Sequence, residues 1–269
     1  MAATAESIRL QVTPAVQYVL RLGDTCLVHA QRLAEWCGHG PVLEEDIALT
    51  NLALDLIGQA RALLTHAAAL EGQGFDEDQL AFLREEDQFF NLTLAELPMR
   101  KGGAHSPGAD FADTVLRNFL LSTWLGLCWQ RLQGSSDAQL AAIAAKALKE
   151  SAYHRQHAAD WVVRLGDGTE ESARRLRAAL DRVWPYTNEL FVHDAVDDAA
   201  VARGLGPARD TLAADWQREV AAVFNEAGLT MPPASPFAST GTRGVHGEHM
   251  GFLLAEMQSL QRRYPGGRW

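Results

Sequence analysis

The sequence predicts an all-α protein built on a bundle of four long helices. Three observations carry this. Apolar residues recur at steps of three and four over long stretches. Glycine and proline gather in short turns between those stretches. No run alternates polar and apolar residues in the manner of a strand.

In chain order, residues 1–13 read as a disordered tail. Residues 14–269 read as one helical domain. Thr13-Pro14 is a helix start, with Thr as N-cap and Pro at the first helical position. That helix runs to about Cys37, where Gly38-His39-Gly40-Pro41 stops it. A second helix spans about Leu43 to Leu70, roughly 40 Å at 1.5 Å per residue. Its apolar stripe is Leu49, Leu52, Leu56, Ala60, Leu63, Ala67 and Leu70. A third helical segment follows from Glu77 to about Leu97, then a Gly/Pro-rich loop at 98–108. Asp110 caps a helix to about Leu132, and Asp137 caps another to Leu165. Thr169 opens a further helix that Pro185 breaks near Trp184. Residues 192–207 read as an acidic, Gly-containing connector. Helix returns from Asp210 to about Ala227, and again from about His246 to Tyr264, across an irregular loop at 228–244.

The chain has 269 residues and a formal charge of −10. Nucleic-acid binding needs a basic face to displace counterions, so the acidic balance excludes it as the main partner. It also disfavours an anionic membrane surface. The longest uncharged apolar stretch, around 118–130, is too short to span a bilayer. Three cysteines without a paired spacing suggest reduced thiols in a cytoplasmic protein. There is no dinucleotide fingerprint, phosphate loop, HExxH or GxSxG motif.

One candidate chemistry remains. In the helix from 137 to 165 the apolar stripe of Leu140, Ile143, Ala147, Trp161 and Leu165 is continued by Glu150, His154 and His157. A carboxylate and two imidazoles thus sit where the pattern expects core. Di-iron and di-manganese bundles place one Glu on each of two helices and a Glu-x-x-His on each of the other two. The corresponding half-motifs here read Asp55-Leu-Ile-Gly58 and Glu150-Ser-Ala-Tyr153. Both histidines and at least one carboxylate are missing. The helix 114–132 has no acid at all, and the first has acids only at its ends, Asp24 and Glu35, with His29 and Gln31 between. Asp55, Gly58, Glu150 and Tyr153 therefore read as vestigial ligand positions. The better reading is a polar network of Asp55, Lys146, Glu150, His154 and His157, with Lys149 and Arg61 as further partners, since an unpaired buried carboxylate is costly. His246-Gly247-Glu248-His249 is a second cluster, expected to cap and pack the last helix because two nitrogen donors do not complete a metal site.

Four runs carry a resemblance: RLGDTCLVHAQRLAEWCGHGP (21–41), LTNLALDLIGQAR (49–61), AAKALKESAYH (144–154) and TGTRGVHGEHMGFLLAEMQSLQRRYPGGRW (240–269). In this order and spacing they resemble the C-type subunits of the multicomponent ring-1,2-phenylacetyl-CoA epoxidases. The resemblance runs from about Tyr18 to Trp269, with the tail and the loop 100–108 less covered. It implies a ferritin-like fold and a non-catalytic structural subunit of a monooxygenase that epoxidises the ring with O₂ and NADPH in aerobic phenylacetate degradation. It implies partners: a paralogous catalytic A subunit holding the di-iron site and a small B subunit, with flavin and iron–sulfur groups in a reductase. It implies no catalytic residue, metal or cofactor in this chain, and a possible homodimer when the chain is isolated. The competing expectation is a self-contained di-metal oxygenase or oxidase with a degenerate ligand set. The two differ in iron content, and in whether an apolar surface awaits a partner.

Overall fold

The computed structural model describes residues 5–98 and 110–267. Helix α1 (Pro14–Ala34) opens as its sequence requires: the Thr13 hydroxyl accepts the Val16 amide and Pro14 occupies the first turn. Helix α2 (Leu43–Glu71) ends at Gly72, whose φ of +85° is the left-handed stop that glycine adopts without strain. After the short helices α3 (Glu77–Phe82) and α4 (Thr93–Glu96) comes α5 (Phe111–Leu132), whose Asp110 cap forms a capping box with Asp113. Helix α6 (Ala138–Gly166) is capped by Asp137, which accepts the Leu140 amide at 3.0 Å. Helix α7 (Glu170–Val183) gives way to a 3₁₀ segment, Trp184–Phe191, at Pro185. The chain closes with α8 (Ala195–Ala202), α9 (Ala213–Glu226) and α10 (Glu248–Arg263).

The long helices form two hairpins, α1 with α2 and α5 with α6, which meet along an α2–α6 seam. One long crossover, of which residues 72–98 are described, joins the two hairpins, so the bundle is ferritin-like in its connectivity. The apolar core runs through all four helices, with Leu20, Leu33, Leu52, Leu63, Phe119, Trp124 and Trp129 fully buried. Among the described residues, α2 rather than the 118–130 stretch of α5 is the helix long and apolar enough, by length and composition, to cross a membrane. Its inner face lies in the bundle core.

Three sequence expectations are corrected. Residues 77–97 are not one helix. Helix α3 ends at Phe82, and a 3₁₀ turn at Glu86–Gln88 and the non-helical residues 89–92 separate it from α4. The break is anchored by Arg84. Its guanidinium pairs with Asp24 of α1, donates to Leu80 O and Gln88 O, and lies 4.1 Å above the Phe89 ring. The 192–207 connector contains α8, started by a capping box between Asp194 and Asp197. The same two acids bind the buried Arg21 and Arg209, which fixes the helix to α1. Finally, the expected disordered tail is pinned from residue 5 onward. Ala5 donates to Arg262 O, Ile8 to Leu83 O and Gln11 to Glu71 Oε1, at 2.9 to 3.0 Å. Residues 1–4 and the loop 100–108 lie outside the described residues.

Candidate site at the bundle centre

The bundle centre is polar because four helices each bring a hydrophilic residue into a core stripe. Helix α1 contributes Cys26 and His29, α2 contributes Gln59, α5 contributes Asn118 and Ser122, and α6 contributes Ser151 and His154, all buried. Gln59 is the hinge of the set. Its amide nitrogen donates to Glu150 Oε2 at 3.0 Å, and its carbonyl oxygen accepts from the Cys26 thiol at 3.7 Å. Lys146, one turn away on α6, approaches the other Glu150 oxygen at 3.7 Å. His154 Nε2 meets Asp55 Oδ2 at 3.1 Å, and His157 Nε2 meets Glu45 Oε2 at 2.9 Å. On the opposite side His29 Nε2 donates to Asn118 Oδ1 at 3.0 Å. Every one of these links joins two helices or two turns, so the network fastens the α2–α6 seam and the α1–α5 contact.

The electrostatics follow from burial. Removal from water pushes the His29 pKa down to about 3, with the Arg117 charge adding to the effect. Burial also lowers His154, against the opposing hydrogen bond and charge of Asp55. Burial raises the Cys26 thiol, and the Glu150 and Asp24 carboxylates raise it further. At neutral pH the buried centre therefore holds neutral His29 and His154 rings and a protonated Cys26 thiol, beside the Gln59 and Asn118 amides.

That set does not fit a pair of divalent cations. Two M²⁺ ions are held in such bundles by several bridging carboxylates, with imidazole at the terminal positions. Here Gln59 and Asn118 supply neutral amides, and Glu150 is already engaged by Gln59. Asp55 is turned toward His154. Among the described residues no group of three or more His, Cys, Asp or Glu is arranged to hold a metal ion.

The four positions expected from the half-motifs fall on two different surfaces. Asp55 and Glu150 lie on the seam. Gly58 and Tyr153, placed by the half-motif spacing beside the bundle axis, face solvent instead, Tyr153 with 57% of its surface exposed. At 3.6 residues per turn the i+3 position of each motif rotates past the seam once the buried positions are Gln59 and His154. Asp55, Lys146, Glu150, His154 and His157 are spread over three separate links, Lys146–Glu150–Gln59, His154–Asp55 and His157–Glu45, rather than one cluster. Arg61 pairs with Glu77 at 3.0 Å, not with Asp55. Gln59 and Glu45, which complete the links, carried no motif. Their only signal was a polar side chain one turn from an expected partner.

His246 stands outside this centre. It is buried between Glu96 Oε2 at 2.8 Å and Phe89 O at 2.9 Å. Both ring nitrogens face acceptors, which favours the doubly protonated ring, and against the effect of burial the hydrogen bond and charge of Glu96 raise its pKa. Glu96 also accepts the Gly247 amide at 2.7 Å. This joins the crossover to the start of α10, as expected of a packing histidine.

Fold and centre together define an all-α, ferritin-like bundle whose centre holds a hydrogen-bonded polar network. The comparisons with known proteins agree with that class. Residues 1–269 match the family described as phenylacetic acid catabolic protein, and the chain belongs to this family. It is also 48% identical over 252 residues to the C subunit of the 1,2-phenylacetyl-CoA epoxidase of Escherichia coli (strain K12). The alignment covers 94% of this chain and 98% of that protein.

Proposed function

We propose that this chain is a structural, non-catalytic subunit of a 1,2-phenylacetyl-CoA epoxidase complex in cytoplasmic phenylacetate catabolism. In this reading it pairs with a di-iron catalytic A subunit and a small B subunit. The reductase supplies flavin and iron–sulfur groups, and this chain binds no cofactor. The observation that carries the reading is the Gln59 amide between Cys26 and Glu150. It ties Glu150 to a neutral amide while Asp55 is turned to His154, so the two carboxylates are not gathered to bridge a pair of metal ions. The near full-length similarity to the C subunit of an epoxidase supports the same role.

The test has two readouts. Elemental analysis of the chain purified from iron-rich medium is expected to give iron near zero per chain. About two irons per chain, the stoichiometry of a di-metal bundle, would overturn the reading in favour of a self-contained oxygenase. In the complex reconstituted with the A and B subunits and reductase, Glu150→Gln is expected to leave epoxidation within a few-fold of wild type. Loss of turnover with assembly intact would show Glu150 to be a ligand.

A further inference from the structure

Among the described residues five arginines are buried: Arg21, Arg32, Arg84, Arg117 and Arg209. Four of them hold a carboxylate. Arg21 and Arg209 share Asp194 and Asp197, Arg32 meets Glu35 at 2.5 Å, and Arg84 meets Asp24. Arg117 is the exception. Its Nη1 donates to the Leu97 carbonyl oxygen, while Nε and Nη2 are buried with no acceptor among the described residues. These two nitrogens form one edge of the guanidinium, and such an edge holds a carboxylate through two parallel N–H bonds. A buried charge without a partner is costly, so the edge calls for an anion.

No described neighbour supplies one. Arg117 lies on α5 between two links to α1: Trp36 Nε1 donates to Thr114 Oγ1 at 2.9 Å, and His29 Nε2 to Asn118 Oδ1 at 3.0 Å. Arg32 of α1 donates to Glu96 O at 2.9 Å, the carbonyl next to the one that Arg117 holds, so two guanidinium groups meet at the end of α4. Burial pushes the Arg117 pKa down and the Arg32 charge pushes it further, to about 9, which leaves it a cation at neutral pH. Glu35 and Asp113 act on it by charge, but Glu35 is bonded to Arg32 and Asp113 to Arg182. Residues 99–109 contain no Asp or Glu. The His29 ring is neutral, in part because of the Arg117 charge. Its Nδ1 and the Asn118 Nδ2 are also buried without partners. With Arg32 and Arg117 set against Glu35, this contact carries one positive charge in excess.

We propose that the Nε–Nη2 edge of Arg117, between α1 and α5, is a binding site for one small monovalent anion of carboxylate or halide type. The single excess charge sets the valence. A sulfate or phosphate dianion would bring a second charge with no cation to meet it. Burial sets the size, since neither nitrogen reaches solvent and the seat must enclose its occupant. The anion would do for Arg117 what Asp24 does for Arg84, and so fasten α5 to α1 and to the end of α4. The inference does not rest on the epoxidase reading, which iron content and turnover test separately.

The experiment is thermal melting of the purified full chain at constant ionic strength, with sodium formate or sodium bromide replacing sodium sulfate. Wild type is expected to gain about 3–5 °C for each ten-fold rise of formate or bromide above its dissociation constant. Arg117→Met has no charge to neutralise and is expected to gain nothing of this kind, so wild type rises relative to the variant. Parallel curves would show a general salt effect and overturn the proposal. A larger relative gain in formate assigns the edge to carboxylates, and a larger one in bromide assigns it to halides; either supports the site. A crystal of wild type grown in sodium bromide gives a readout that needs no variant. An anomalous bromide peak within hydrogen-bonding reach of Nε and Nη2 is expected. A water alone at that edge in both bromide and formate crystals would overturn the proposal, whether or not Arg117→Met folds.

Discussion

Replacing Arg84 by methionine tests how the crossover is held. In the folded chain Arg84 and Asp24 are both fully buried. Asp24 receives two guanidinium nitrogens and the Phe90 amide, the latter at 2.9 Å. In Arg84→Met the carboxylate keeps only the amide, and Leu80 O and Gln88 O each lose a donor. Breaking one side of a buried pair costs about 3–5 kcal/mol, because a charge stays buried without its counterion. With each kcal/mol worth about 2–4 °C in a chain of this size, the melting temperature should fall by roughly 6–20 °C. The second arm is Asp24→Leu combined with Arg84→Met, which removes both charges. Buried pairs replaced by apolar groups lose little or even gain, so the double variant should recover at least about 2 kcal/mol of the summed single losses. Urea denaturation followed by circular dichroism measures all four corners of the cycle. An Arg84→Met loss under about 1 kcal/mol, typical of an exposed pair, would refute the argument. So would a double variant whose loss equals the sum of the single ones.

Three further outcomes follow from the same contacts. The hydrogen bond and charge of Glu96 hold His246 above the usual histidine pKa of 6.5 despite its burial. Its contribution is therefore fully present below about 6.5 and lost as pH rises through the folded value. The stability gap between wild type and His246→Gln should narrow on the alkaline side, and a gap independent of pH would contradict this. His29 has the opposite sign. Its pKa is depressed to about 3, so the unfolded chain binds a proton that the folded chain does not between 6.5 and 3. Wild type should lose stability over that window more steeply than His29→Gln, and parallel acid titrations would count against a neutral buried ring. Gly58→Ala adds a Cβ into open space on a helix, so urea melts of the monomer should show a gain of about 0.5–1 kcal/mol. A loss would mean that the glycine is needed within the chain itself.

Local signals determined much of this protein. The Thr13-Pro14 start, the Asp110 and Asp137 caps, Gly72 and Pro185 mark helix ends through interactions within a few residues. Such interactions are written in the sequence. The missing Glu-x-x-His pattern was equally legible, as were Asp55, Glu150, His154 and His157 as polar residues on core-facing helices. The tertiary structure decided the rest. No spacing pairs Asp24 with Arg84, Glu96 with His246 or Asp194 with Arg21, since these partners lie far apart in the chain and meet only after the helices pack. Those pairs turn 77–97 into an irregular crossover and 192–207 into a capped helix. Packing also set the rotation of α2 and α6. A helix offers several near-equivalent faces to a pattern that mixes Asp, Gly, Glu and Tyr with alanine. The burial of Gln59 and His154 chose the face that sends Gly58 and Tyr153 to the surface.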